Sequence, residues 1–129
     1  MSNEVEFQEI APAYVVRDVE DSLEWYREML GFELETVNRD PQGEDPTSYA
    51  VLRRDEVCLH LVSESMVEAQ TGSSGSQIMV RGLHALMATL EEKGVQVIRG
   101  IEEQPWGARD AIIADPDGNR VVFSELSGP

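Results

Sequence analysis

Two stretches of this chain spell the same order of elements, about 62 to 64 residues apart. Val16-Arg17-Asp18-Val19 is echoed by Val80-Arg81-Gly82-Leu83. Each leads into a helical pattern closed by a glycine, in Leu30-Gly31-Phe32-Glu33-Leu34 and in Lys93-Gly94-Val95-Gln96-Val97. Glycine just past a helix supplies the left-handed cap. Further on, Asp55-Glu56-Val57-Cys58-Leu59-His60-Leu61 is echoed by Asp117-Gly118-Asn119-Arg120-Val121-Val122-Phe123. Two copies fall short of the roughly three that a solenoid needs. At 129 residues the chain is one domain, or two small modules sharing a core.

Periodicity fills in each copy. Val19, Leu23, Tyr26 and Leu30 form one apolar stripe of a first helix. Asp18 is its N-cap, with Glu20 and Asp21 in the first turn. Leu83, Leu86 and Leu90 form the stripe of a second helix. Strands are predicted over about 9–16, 32–38, 48–54 and 57–62, then about 76–80, 95–99, 109–114 and 119–124. The order is βαβββ twice: module one over about 8–62, a join over 63–75, and module two over about 76–126. Asp40–Thr47 reads as a polar loop, and the Gly/Ser-rich join as flexible.

Composition limits the function. A net charge of −15 excludes nucleic acid as a partner, because phosphate binding needs a basic surface. The same charge attracts a cationic ligand, or simply keeps the surface soluble. No apolar run approaches the roughly 18 residues of a membrane span. One cysteine, Cys58, excludes an internal disulfide framework. With an acidic N-terminus lacking a signal-peptide pattern, the expectation is a cytoplasmic protein.

The last quarter carries the most local information. Gln104-Pro105-Trp106-Gly107-Ala108-Arg109-Asp110 leads into an apolar run, then Asp115-Pro116-Asp117-Gly118-Asn119, then a second apolar run. Pro presets one turn angle and Gly or Asn tolerates a positive φ, so a β-hairpin is expected. Trp106, between Pro105 and Gly107, has little local cover. This hairpin resembles that of the vicinal oxygen chelate superfamily, which includes glyoxalase I, extradiol dioxygenases and fosfomycin- and bleomycin-resistance proteins. The Pro-Trp-Gly-x-Arg-Asp opening is most similar to the bleomycin-resistance branch. Pro12, Val16-Arg17-Asp18, Trp25-Tyr26 and Leu30-Gly31-Phe32 extend the resemblance from about Ile10 to Glu125. It implies an α+β fold of two βαβββ modules. Each would be a curled four-stranded mixed sheet with a helix on its outer face, forming clefts in a homodimer.

Metal-using members of this superfamily place ligands at four cleft-facing strand positions. Here these fall on Ala11, His60, Gly75 and Val122. Only His60 offers a ligand atom, and one imidazole does not make a divalent site. The expectation is no metal and no cofactor. Metal-dependent chemistry would need another register, or ligands such as Glu9, Glu56 and Glu125.

The candidate binding residues are Trp106, His60, Arg109, Asp110, Tyr49 and Arg120. Trp106 presents a flat apolar platform and one N–H donor. In the bleomycin-resistance branch the matching tryptophan lines the drug groove at the dimer interface, and the resemblance implies that role here; the alternative is a plug in that interface. Alternation puts His60 and Cys58 on one strand face, with the leucines toward the helices. His60 then contacts a ligand, or is satisfied by a neighbouring side chain or water. Arg109 and Asp110 offer rim contacts or pair structurally, and Arg120 enters the cleft or reaches solvent. Tyr26 belongs to the core and His84 to the surface. Cys58 is a small buried residue rather than a nucleophile. The functional expectation is a binding protein that sequesters a planar or cationic small molecule. The alternatives are a metal-dependent glyoxalase-type lyase or dioxygenase, and a metal-free isomerase with His60 as base.

Overall fold

The computed structural model describes residues 4–43, 45–67 and 69–127. Parts of the expected acidic N-terminus, polar loop and join therefore lie outside the described residues. Module one runs β1 (Ala13–Val16), α1 (Val19–Leu30), β2 (Glu33–Arg39), β3 (Thr47–Arg54) and β4 (Val57–Ser63). Module two runs β5 (Gly75–Met79), α2 (Leu83–Glu92), β6 (Gln96–Gln104), β7 (Ala108–Ala114) and β8 (Arg120–Leu126). The sheets have the orders β1-β4-β3-β2 and β5-β8-β7-β6. In each, the first strand pairs parallel to the last and the other pairs are antiparallel. The architecture is the expected two-module α+β fold.

Local chemistry accounts for the elements. Asp18 caps α1 by accepting from the Asp21 amide at 3.0 Å. Gly31 ends the helix at φ +69. The stripe Val19, Leu23, Tyr26 and Leu30 is fully in the core. In α2, Leu83 and Leu90 are buried as expected, but Met87 rather than Leu86 completes the buried set. Leu86 packs only against the margin of the core.

Two strand boundaries differ from the sequence expectation. The first strand is shorter because Pro12 has no N–H to give to a ladder. Its carbonyl still accepts from the His60 amide at 2.9 Å. β6 runs on past Gly100 to Gln104, through register shifts that absorb the irregularity opposite β7.

The join is pinned at its module-two end rather than free. The Gly72 amide donates to the Val15 carbonyl at 3.4 Å, and the Ser74 amide to Asn119 Oδ1 at 3.0 Å. The Val15 amide donates back to Ser74 Oγ at 3.1 Å. Gly72 has φ +82, and a Cβ there would sit 2.1 Å from the Asp117 carbonyl oxygen. Only glycine fits.

The same turn between β7 and β8 joins the modules. Asp115 Oδ1 accepts from the amides of Asp117 at 3.0 Å and Asn119 at 2.8 Å. Its Oδ2 accepts from the Tyr26 hydroxyl at 2.8 Å and from Asn119 Nδ2 at 3.0 Å. Asn119 Nδ2 also donates to the Val15 carbonyl at 3.1 Å. Tyr14 donates to the Arg120 carbonyl at 3.0 Å and bonds the Ser76 hydroxyl. Burial, then the Asp115 charge, drives the Tyr26 pKa upward, so its phenol stays protonated and remains a donor. Asn119→Ala should destabilise the fold by about 2–4 kcal/mol, because it orphans buried partners in both modules. Gly72→Ala should cost at least about 2 kcal/mol. Denaturant unfolding checks both, and losses below about 0.5 kcal/mol would contradict the seam.

Candidate functional site

Strand alternation divides each sheet into a helix-packed face and an opposite face. On the first sheet Tyr14, Val16, Ala50, Leu52, Leu59 and Leu61 enter the core. Tyr49, Val51, Arg53, Cys58, His60 and Val62 therefore look the other way. His60 lies opposite Ala13 on β1 and Val51 on β3. Tyr49 is two residues further along β3, and its hydroxyl bonds His60 Nδ1. The two rings meet edge to face with centroids 5.3 Å apart. The structure thus brings Tyr49 and His60 together, with His60 satisfied by a neighbouring side chain at Nδ1. Burial, and next the nearby Cys58, raise the Tyr49 pKa. Burial is also the main cause that raises the Cys58 thiol, against the lowering charge of Arg53. Cys58 stays protonated near neutrality and is no nucleophile.

On the second sheet the candidates separate. Asp110 is 7% exposed on the face away from α2. It accepts from Gln104 Nε2 at 3.1 Å and pairs with the Arg99 guanidinium. Arg99 also reaches Glu102 at 2.9 Å, so two carboxylates share one cation. Arg109, one residue from Asp110, points to the opposite face and lies 3.5 Å from Glu125. Glu125 in turn accepts from the Gly82 amide at the start of α2 at 2.6 Å. Arg109 is thereby tied into the support of α2. Arg120 is exposed at the start of β8, between Gly75 and Ala114 in register.

Trp106 sits in the turn between β6 and β7 and is 68% exposed. The Gly107 amide closes that turn onto the Gln104 carbonyl at 3.2 Å, with φ +86 at Gly107. The Ser127 amide ties the turn to the end of β8 at 2.8 Å. Leu126, in register with Ala108, and Met79, in register with Ser124, are also exposed. Ser124 is itself opposite Asp110. Three large apolar side chains therefore stand at one end of this sheet, within two ladder rungs of a carboxylate pair. Met79, Leu126, Arg99 and Gln104 were not legible as site residues, since only strand register joins them to Trp106 and Asp110.

The strand positions that the resemblance singles out for a metal carry few donor atoms. Around Val122 the register neighbours are Gln77 and Ile112, and around His60 they are Ala13 and Val51. Among the described residues, no three His, Cys, Asp or Glu side chains are grouped to hold a metal ion. These residues do not fit a divalent cation. Protein purified without chelator should carry well below one transition metal per chain by elemental analysis. One tightly held ion per chain would contradict this.

Comparison with known proteins agrees with the geometry. The family model for the Glyoxalase/Bleomycin resistance protein/Dioxygenase superfamily matches residues 8–123. No curated protein matches the sequence. Among solved structures, a glyoxalase-related enzyme from Clostridium phytofermentans is 28% identical, with a TM-score of 0.78 over 97% of this chain and 99% of that one. A superfamily member from Sphaerobacter thermophilus is 27% identical, with a TM-score of 0.79 over 93% and 98%. A bleomycin-binding protein from bleomycin-producing Streptomyces verticillus, complexed with copper(II)-bleomycin, shares the fold at 24% identity. Its TM-score is 0.71 over 97% and 99%.

Proposed function

The chain belongs to the Glyoxalase/Bleomycin resistance protein/Dioxygenase superfamily, and we propose that within it this protein binds and sequesters a planar or cationic small molecule without turnover. The observation that carries the reading is the exposed apolar end of the second sheet: Trp106, Met79 and Leu126 around Asp110 and Glu102. A flat ring stacking on the Trp106 indole removes apolar surface from water. Among the described residues Arg99 is the one cation paired with the two carboxylates, which leaves one negative charge beside the ring for a cationic group. The −15 field of the whole chain speeds the encounter. The ligand is held where two copies of the chain meet, in a cytoplasmic homodimer, with Tyr49, His60 and Arg120 as further polar contacts. The shared fold with a bleomycin-binding protein that holds copper(II)-bleomycin is consistent with a ligand of that size and character.

A second reading, metal-free acid–base catalysis by His60, is favoured by the Tyr49 hydroxyl on Nδ1. That bond leaves Nε2 for proton transfer. Among the described residues the other titratable groups on that face of β3 and β4 are Tyr49 and Arg53, both already paired, and the Cys58 thiol, held protonated by burial, which is why binding is preferred.

Titration with bleomycin should quench tryptophan fluorescence saturably. Trp106→Ala should weaken binding by about tenfold or more, as for an interface hot spot. Trp25 reports that the variant remains folded. Unchanged affinity in Trp106→Ala would remove the role given to this ring.

A further inference from the structure

The chain has ten Lys and Arg side chains against 25 acids. Six of the ten, Arg17, Arg27, Arg39, Arg53, Arg99 and Arg109, lie within 3.9 Å of a carboxylate. The other four are Arg54, Arg81, Lys93 and Arg120. Arg54 reaches Asp55 only at 4.0 Å, and among the described residues the remaining three have no carboxylate partner. Three of these four, Arg54, Arg81 and Lys93, line one groove.

That groove lies where the end of α1 and the β3–β4 turn of module one meet α2 and the end of β5. Its volume is about 870 Å³. Most of its wall is apolar, with Phe32, Val57, Ile78, Leu86 and Phe123 drawn from both modules. It touches the Trp106 end of the second sheet only through Met79 and includes none of the six residues singled out from the sequence. Two of its cations are held in place by backbone. Arg54 donates to the Leu30 carbonyl at 2.7 Å and Lys93 to the Glu28 carbonyl at 2.8 Å. Both carbonyls belong to the last turn of α1, which favours positive charge. Arg81 is exposed and carries no such bond.

We propose that this groove binds an amphipathic organic anion: an apolar chain or ring system carrying one carboxylate, sulfonate or phosphate. The volume lies within the range of small-molecule sites, and such sites combine apolar walls with a few fixed polar groups. In a protein with this excess of acid, an anion meets repulsion over most of the surface. Here the walls take its apolar part while Arg81, with no carboxylate partner among the described residues, takes its charge. Asp55 and Glu56, in the β3–β4 turn, also line the groove and disfavour an anion beside them. The ligand is opposite in sign to the one proposed at Trp106, so the two sites stand or fall separately.

Isothermal titration with decanoate tests the proposal. One decanoate should bind per chain, Arg81→Glu should weaken it about tenfold, and Arg27→Glu should leave it within about twofold. Arg27→Glu makes the same change in net charge outside this groove. Ala85→Trp, at an exposed α2 position on the groove wall, should abolish binding with the unfolding midpoint retained. Absence of decanoate binding, or equal losses in Arg81→Glu and Arg27→Glu, would overturn the proposal. So would an Ala85→Trp variant that keeps decanoate affinity but changes sedimentation mass, because the groove would then be covered by a second copy of the chain.

Discussion

A carboxyl group with 2% exposure, and no ion pair among the described residues, holds the two modules together. Asp115 meets the demands of burial by accepting four hydrogen bonds, two from its own turn, one from the Asn119 side chain and one from Tyr26 of module one. Losing any of these donors leaves a buried acceptor short, which costs more than the bond itself contributes. Asn119, fully buried, completes the seam by reaching the Val15 carbonyl and receiving the Ser74 amide. The orientation of one sheet relative to the other, and with it the groove between the modules, depends on this cluster. It explains why the join cannot wander: Gly72 passes too close to the Asp117 backbone for any side chain.

With the modules fixed, their unequal chemistry becomes functional. By ladder register His60 of module one matches Val122 of module two, and Tyr49 matches Asp110. One sheet thereby presents an imidazole where the other presents an aliphatic side chain, and a phenol where the other presents a carboxylate. In module two that carboxylate, Asp110, lies across the ladder from Glu102, and the two share Arg99 near the exposed Trp106 turn. Among the described residues no three His, Cys, Asp or Glu side chains are grouped to hold a metal ion. What the strands do gather is exposed apolar area beside an acidic pair, and the proposed binding of a planar or cationic molecule rests on it.

Much of the fold could be read from local pattern. The stripe of α1, its Asp18 cap and its Gly31 stop act within a few residues of one another, so sequence spacing carries them. Alternation correctly separated His60 and Cys58 from Leu59 and Leu61. The exposure of Trp106 was legible because Pro105 and Gly107 leave it no local cover. The site was less legible, because its partners are distant in sequence. Asp115 and Asn119 look like turn residues, and nothing nearby in the chain shows that they bond Tyr26 and Val15, 89 and 104 residues away. Arg109 and Asp110 looked equivalent at a strand start, but the pleat sends them to opposite faces, one to Glu125 and α2, the other to Arg99. The groove of Arg54, Arg81 and Lys93 was likewise invisible, since it is assembled from both modules.

The central claim is that the Trp106 end of the second sheet is a ligand-binding surface. Amide chemical-shift mapping during a titration with metal-free bleomycin tests it most directly. The account predicts saturable shifts centred on residues 102–110 and 124–127, with smaller ones at Met79. Shifts spread over the acidic surface without saturation, or confined to residues away from this end of the sheet, would contradict it.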